Sequence, residues 1–408
     1  MNLIHNIQLE ARLALLFLFG IVLGGQLNRG IYGLALINPR PISPWLSTND
    51  GAGRRWTDYV PVIGWWGLRR EVTVQGPGFW IRPLMVELAM GIGLGALYWW
   101  EIQASLYPES QRSDLASATL HLQFLSHGIL ISMMVMATFI DIDEKTIPDS
   151  ITVPGTLCGL TVAALFPSSL LPNWTKFESP PLWLTSTHEW PIWLNTAAGL
   201  MCGLACFVVW CYAIIPKVWW TRSGWKKAFV YLLASIPRYR QSWWIFCLAG
   251  AGGTAITGVW FCGGQSWQGL FTALVGLAFG GGLVWAVRIM GSAALGQEAM
   301  GFGDVTLMAM IGTFVGWQST LVIFFLAPFA GLLLAVCQWI VTGRRDIPYG
   351  PFLCIATLTI VIFWLPIWTY CQELFQVLGI LIPGLTVICL ILMTGMLLVW
   401  RSIAEKFE

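Results

Sequence analysis

The stretch Glu298-Ala-Met-Gly301-Phe-Gly303-Asp304 leads directly into an apolar run that extends from Val305 to Trp317. An ionisable group at the mouth of a membrane-length segment is unfavourable in lipid, so Asp304 is a candidate functional residue. The same position also suits an ordinary helix N-cap, because an Asp side chain accepts hydrogen bonds from free backbone N–H groups. The stretch therefore predicts a helical membrane fold and leaves Asp304 open between catalysis and capping.

A second acidic stretch closes another apolar segment. It reads Phe139-Ile-Asp141-Ile-Asp-Glu-Lys-Thr-Ile-Pro148-Asp149. Two carboxylates at the ends of membrane segments suggest a pair, and paired carboxylates carry out acid/base chemistry.

The two motifs together resemble the type IV prepilin peptidases, which are membrane aspartyl proteases of the Gly-x-Gly-Asp kind. Gly301-Phe-Gly303-Asp304 matches the second catalytic motif of that family, and Asp141 with Pro148-Asp149 matches the first. The resemblance implies that Asp141 and Asp304 are the catalytic residues. The remaining motif residues, expected where the substrate approaches, are Gly301, Gly303, Pro148, Asp149 and Glu298.

The resemblance also implies the substrate and the reaction. A prepilin or pseudopilin with a short basic leader would be cut at the cytoplasmic face of the cell inner membrane, in type IV pilus assembly or type II secretion. An aspartyl protease needs two carboxyl groups that share one proton. A helix N-terminus favours negative charge and a C-terminus disfavours it, so we expect Asp304 to be the ionised base and Asp141 the acid.

Composition places most of this chain in lipid. Of its 408 residues, 57% are hydrophobic and only 10% are charged, which excludes a soluble multidomain protein. The predicted fold is all-α, a polytopic membrane helix bundle of about nine to eleven transmembrane helices with the lipid bilayer as its environment. A net charge of +2 without a basic patch argues against nucleic acid as a partner.

Eleven apolar segments are predicted as membrane helices, some of them short or partly interfacial. They lie near residues 13–27, 82–100, 122–140, 151–167, 191–215, 242–262, 267–289, 304–317, 319–341, 350–370 and 375–400. The N-terminus has no basic region ahead of the first segment, so we expect that segment to remain as a membrane helix.

Lys and Arg residues in short loops predict the orientation. The loop between residues 28 and 81 holds six Arg, whereas the loop between residues 101 and 121 holds one Arg and three acids. The first loop is therefore predicted to be cytoplasmic. Continued alternation then places Asp141, the basic stretch from Lys217 to Arg240, and Asp304 all at the cytoplasmic face.

Residues 1–115 are predicted as an N-terminal helix pair with a long cytoplasmic loop. Asp58-Tyr-Val-Pro-Val-Ile-Gly-Trp-Trp-Gly-Leu-Arg-Arg70 and Arg82-Pro-Leu-Met-Val-Glu87 resemble the family's methyltransferase region, which uses S-adenosylmethionine. The family's Cys pairs are missing here, since Cys158 is the first Cys of the chain. Zinc is therefore not expected in this loop, and methylation loses part of its support. Glu87 is either a functional acid or a charge that suits a helix start.

Residues 116–408 are predicted as the membrane aspartyl peptidase domain, with an inserted helix pair at roughly 166–267. Proteolysis by two carboxyl groups needs no cofactor, and we predict no metal site. Pro348-Tyr-Gly-Pro351 resembles the family's turn into the next helix, and Thr306 stands where the family has Lys.

Three alternatives remain at this point. The chain could be an intramembrane aspartyl protease with another substrate, an ion-coupled membrane transporter, or an inactive scaffold. A transporter would be expected to carry its carboxylates near the middle of the membrane and to show internal repeats.

Overall fold

The computed structural model describes residues 8–35, 53–103, 106, 117–172, 190–216, 238–342, 348–379 and 381–407. All regular elements among these residues are helical, and none is a strand. The all-α fold predicted from the sequence is thereby confirmed. Most of the basic stretch from Lys217 to Arg240, and the outer loop around residues 176–188, lie outside the described residues.

Among the described residues, eleven helices have 13 residues or more. They are α1 (Leu9–Gly33), α2 (Ile81–Gln103), α3 (Ser117–Glu144), α4 (Asp149–Leu165), α5 (Ala197–Ile214), α6 (Arg240–Cys262), α7 (Gly264–Leu295), α8 (Phe302–Thr342), α9 (Gly350–Ile362), α10 (Trp364–Leu378) and α11 (Leu381–Phe407). Within the described ranges, eight are long and apolar enough to cross a membrane, or nine if the bent pair α9–α10 forms one span. The chain is thus a multi-pass membrane protein.

Four predicted segments have a different form from a simple crossing. The segments at 304–317 and 319–341 belong to one element, α8, whose regular helix is interrupted at Gly316, where φ is +80°. The segment at 350–370 bends by 93° between α9 and α10. The segment at 151–167 is the 17-residue helix α4, which is shorter than the roughly 20 residues of a full span.

Two compact units make up the chain. The first consists of Met1–Gly155 and Val322–Tyr370, in which α2 packs against α1 and α3, and α9 packs against α3. The backbones of α1 and α2 approach closely at Gly20. A Cβ on this residue would lie 2.5 Å from the Met90 carbonyl oxygen. Small residues allow such backbone approach between membrane helices.

The second unit consists of Thr156–Leu321 and Cys371–Glu408. In it α7 packs against α5, α6 and α11. The indole nitrogen of the buried Trp267 donates to the Leu194 carbonyl at 2.9 Å. Gly276 of α7 and Gly312 of α8 meet backbone to backbone, since a Cβ on either residue would overlap the carbonyl group of the other.

We expect Gly276→Ala to destabilise the protein by about 1–3 kcal/mol, the usual penalty for overpacking a close contact. The matched control is Gly282→Ala on the same helix, where an added Cβ would have nothing within 4 Å. Thermal unfolding in detergent should show a lower midpoint for Gly276→Ala only. Equal midpoints for the two variants would contradict the close crossing at Gly276.

Candidate active site

Asp141 lies in the last turn of α3 and is buried, with 4% of its surface exposed. Its Oδ2 atom is buried and has no hydrogen-bond partner among the described residues. The chain leaves the helix through Lys145, where φ is +55°, and the Lys145 N–H donates to the Asp141 carbonyl at 2.8 Å. The left-handed residue after Glu144 ends the helix and turns the chain toward Pro148.

Gly350, the first residue of α9, lies directly against the Asp141 carboxylate. A Cβ on Gly350 would be 2.5 Å from Asp141 Oδ2 and 2.9 Å from Ile147 Cδ1. The sequence predicts a bend at Pro348-Tyr-Gly-Pro351 but not this contact, because 209 positions separate Asp141 and Gly350 in the chain. The missing side chain of Gly350 is what allows the turn to close over Asp141.

Asp304 is the third residue of α8 and is also buried, with 7% of its surface exposed. Gly301 precedes the helix, and a Cβ there would lie 3.7 Å from Asp304 Oδ2. The Thr306 hydroxyl donates to the Gly303 carbonyl at 3.0 Å. The predicted position of Asp304 at a helix N-terminus is confirmed. The hydroxyl of Thr306 has its hydrogen-bond acceptor within the same helical turn.

Glu298 lies on the exposed connection between α7 and α8. Arg288 donates from Nη2 to Glu298 Oε1 at 2.6 Å and from Nε to the Met300 carbonyl at 3.0 Å. The Glu298 side chain is 64% exposed, so this acid contributes to the placement of the loop before Gly301 rather than to a buried pair.

Pro148 and Asp149 form the start of α4. Pro148 is buried and its carbonyl accepts from the Ile151 N–H at 3.0 Å, whereas Asp149 is the exposed first residue of the helix. Negative charge in the first turn suits the helix dipole, so the geometry agrees with a helix-start role for both residues.

The structure thus brings the predicted residues together in two groups. Asp141 lies with Ile147 and Gly350 in the first unit, and Gly301, Gly303 and Asp304 lie together in the second. Catalysis by Asp141 and Asp304 as a pair stays a prediction.

The loop between α1 and α2 is fastened to the helices by Glu87. This buried carboxylate accepts from the Val62 N–H at 2.6 Å and from the Trp65 indole nitrogen at 2.8 Å. From the sequence, Glu87 is either a functional acid or a charge that suits the helix start. The contacts add a third role, because Glu87 satisfies buried donors of the loop that would otherwise be unpaired.

Ion pairs organise the interior of the same loop. Arg70 pairs with the buried Asp58, and Arg54 pairs with the buried Glu71. Hydrogen bonding from Arg70 holds the pKa of the Asp58 carboxyl below its ordinary value, with the Arg55 N–H adding to the effect at 2.7 Å.

The donor chemistry of this loop does not fit zinc. Residues 6–120 contain neither Cys nor His, which are the ligands that structural zinc sites require. The nearby acids Asp58 and Glu71 are already engaged by arginines.

We expect the Asp58 contacts to be lost in acid. A carboxyl with a lowered folded-state pKa stabilises the fold above its unfolded pKa of 3.8, and this contribution disappears as the pH falls through the lower folded value. Hydrogen exchange of residues 55–70 should therefore be slower in the wild type than in Asp58→Asn at about pH 6. The two should converge only below about pH 4. Convergence already near neutral pH would show that Asp58 does not stabilise the loop.

Comparison with known proteins gives a family match. The profile of the type IV leader peptidase family matches residues 128–336, just over half of the chain and a range that includes both Asp141 and Asp304. No solved structure shows a significant match.

Curated relatives carry the name prepilin leader peptidase/N-methyltransferase. The protein of Pseudomonas aeruginosa is 36% identical over 87 residues, which cover 21% of this chain and 30% of the relative. That of Xanthomonas campestris pv. campestris is 35% identical over 96 residues, covering 22% and 33%. That of Myxococcus xanthus is 29% identical over 152 residues, covering 36% and 39%.

These alignments span only about a third of the length of the relatives. The family profile is the broader match, because it extends over more than half of the sequence and includes both acidic motifs. The chain therefore belongs to the type IV leader peptidase family.

Proposed function

We propose that this protein is a membrane aspartic endopeptidase that removes the leader peptide from prepilin-like or pseudopilin substrates. The observation that carries the proposal is the burial of Asp141 and Asp304 at helix ends. These are the aspartates of the two motifs that fall within the family match. The name of the curated relatives, prepilin leader peptidase/N-methyltransferase, supports the choice of substrate.

The proposed reaction uses one proton shared between the two carboxyl groups. Asp304 takes a proton from water while the water oxygen attacks the carbonyl carbon of the scissile peptide, and Asp141 gives its proton to the carbonyl oxygen. When the C–N bond breaks, the leaving nitrogen takes the proton from Asp304, and the proton on the former carbonyl oxygen returns to Asp141. Both aspartates are then ready for the next substrate.

Helix electrostatics support this division of roles. Asp304 lies in the first turn of α8, where the helix dipole and free N–H groups stabilise an ionised carboxylate. Asp141 lies in the last turn of α3, where the dipole disfavours negative charge. A coupled pair titrates as a unit, so the roles describe the dominant form of one shared-proton state.

Charge distribution supports an active site at the cytoplasmic face of the inner membrane. In the predicted alternation both aspartates fall on the same side as the basic stretches at residues 28–81 and 217–240. A prepilin has a short basic leader followed by an apolar helix, so its cleavage site would lie in the membrane interface on that side. In this proposal residues 1–115 and 116–408 are the two functional regions. The insert at roughly 166–267 contains α5 and α6, which pack against each other.

Methylation of the new N-terminus is a separate part of the proposal, supported by the second half of the relatives' printed name. S-adenosylmethionine would supply the methyl group. The loop at residues 53–80 would take part without zinc, because its fixed contacts are the ion pairs and the Glu87 hydrogen bonds.

We expect a tagged prepilin that is co-expressed with this protein to become smaller, because its leader is removed. Asp141→Ala and Asp304→Ala should each abolish this size shift, because one carboxyl group has no partner with which to share a proton. The matched control is Glu10→Ala, which removes an exposed acid at the start of α1 and should cleave like the wild type. Cleavage by either aspartate variant would contradict the proposed pair. Absence of cleavage by the co-expressed wild-type protein would favour one of the three alternatives: an aspartyl protease with another substrate, a transporter or an inactive scaffold.

We expect Gly350→Ala to slow cleavage by up to about 100-fold, since its Cβ would displace the Asp141 carboxylate and misplaced catalytic groups lose rate on this scale. Gly93→Ala on α2 is the control, because an added Cβ there would have nothing within 4 Å. Initial rates measured with one prepilin should separate the two variants. Wild-type rates for Gly350→Ala would rule out the contact as a determinant of Asp141 placement.

A further inference from the structure

A single arginine from α2 holds the end of α3 that carries Asp141. Arg82 Nη1 lies 2.8 Å from each carboxylate oxygen of Asp143, and Nη2 donates to the Phe139 carbonyl at 3.2 Å. The guanidinium carbon lies 4.7 Å from the centre of the Phe139 ring. One side chain therefore binds the residues two positions before and two positions after Asp141.

The segment that carries Asp304 is held in the same manner. Arg288 binds the Glu298 carboxylate and the Met300 carbonyl. Its guanidinium carbon lies 5.6 Å from the centre of the Phe302 ring. Phe302 stands two residues before Asp304, as Phe139 stands two residues before Asp141.

Both arginines thus make the same three kinds of contact: one to a carboxylate, one to a backbone carbonyl and one to an aromatic ring. Only arginine has donors in a planar fork that can serve a carboxylate and a carbonyl while the flat face lies against a ring. Lysine would keep the charge but has a single nitrogen for these partners.

Helix geometry keeps Arg82 away from the Asp141 carboxylate. At 3.6 residues per turn, positions 139 and 143 share one face of α3, and position 141 points to the opposite face. Gly350 packs against that opposite side, at the Asp141 carboxylate. Arg82 can therefore fix the backbone without an ion pair to Asp141 that would compete with a shared proton.

We propose that Arg82 and Arg288 are positioning residues, and this inference rests on the function proposed above. Each arginine fixes the backbone that presents one of the two aspartates. Both ion pairs are solvent-accessible, with side chains between 30% and 64% exposed. Pairs of this kind add little to global stability, so their effect should fall on the reaction.

The test compares Arg82→Gln, Arg82→Lys, Arg288→Gln and Arg288→Lys in full-length purified protein. The control is Arg12→Gln, which loses the same charge and a 3.0 Å hydrogen bond to the Tyr98 hydroxyl. We expect both Gln variants to lower kcat at least about tenfold with KM within about twofold, because a shift of the reacting groups lowers rate more than binding. The Lys variants should fall between Gln and wild type.

A second readout does not depend on activity. Hydrogen exchange should be faster at residues 139–146 in Arg82→Gln and at residues 297–303 in Arg288→Gln, with the same melting midpoint as Arg12→Gln. Asp143→Asn should slow cleavage less than Arg82→Gln, because the Arg82 contact with the Phe139 carbonyl remains. The double variant Arg82→Gln/Asp143→Asn should be no slower than Arg82→Gln alone.

Wild-type kcat in the Gln variants, in an assay where Asp141→Ala and Asp304→Ala are inactive, would overturn the inference. A kcat loss that only follows a lower melting midpoint would overturn it as well, since that is the signature of a structural role. If the wild type itself leaves prepilin uncut, the proposed function fails instead. The exchange data then still decide whether the arginines hold the two segments.

Discussion

An acidic side chain buried in a membrane helix bundle needs a partner, because an unpaired polar group in an apolar interior loses the hydrogen bonds it makes in water. In the part of the chain that the structure describes, Asp58 has Arg70, Glu87 has Val62 and Trp65, and Glu101 has His127 at 2.7 Å.

At Asp141 no described side chain donates to the buried Oδ2, and the backbone of Gly350 lies against the carboxylate. Oε2 of Glu101 is also buried without a hydrogen-bond partner, but its Oε1 lies 2.7 Å from His127. In the function proposed above, the Asp141 carboxyl shares a proton with Asp304.

The sequence predicted the parts of the site that depend on local pattern. It predicted Asp141 at the end of one apolar segment and Asp304, after its two glycines, at the start of another. Asp141 lies in the last turn of α3 and Asp304 in the first turn of α8. The sequence could not predict contacts between distant segments, such as Gly350 with Asp141 or Glu87 with Trp65, because hydropathy carries no information about which helices pack together. The break at Gly316 lies within two residues of the boundary predicted between the segments 304–317 and 319–341. The bend after Ile362 was not predicted, since an apolar run reads the same whether straight or bent.

Stability and rate respond very differently to the two arginine contacts. An exposed ion pair contributes about 0–1 kcal/mol to folding, whereas a misplacement of reacting groups by about 1 Å lowers a rate by about 100-fold, which corresponds to about 2.7 kcal/mol. A side chain that contributes almost nothing to the fold can therefore have a large effect on catalysis when it fixes the backbone of a reacting group. Arg82 and Arg288 bind backbone carbonyls two and four residues before the two aspartates, so in the proposal above their loss affects the rate more than the stability.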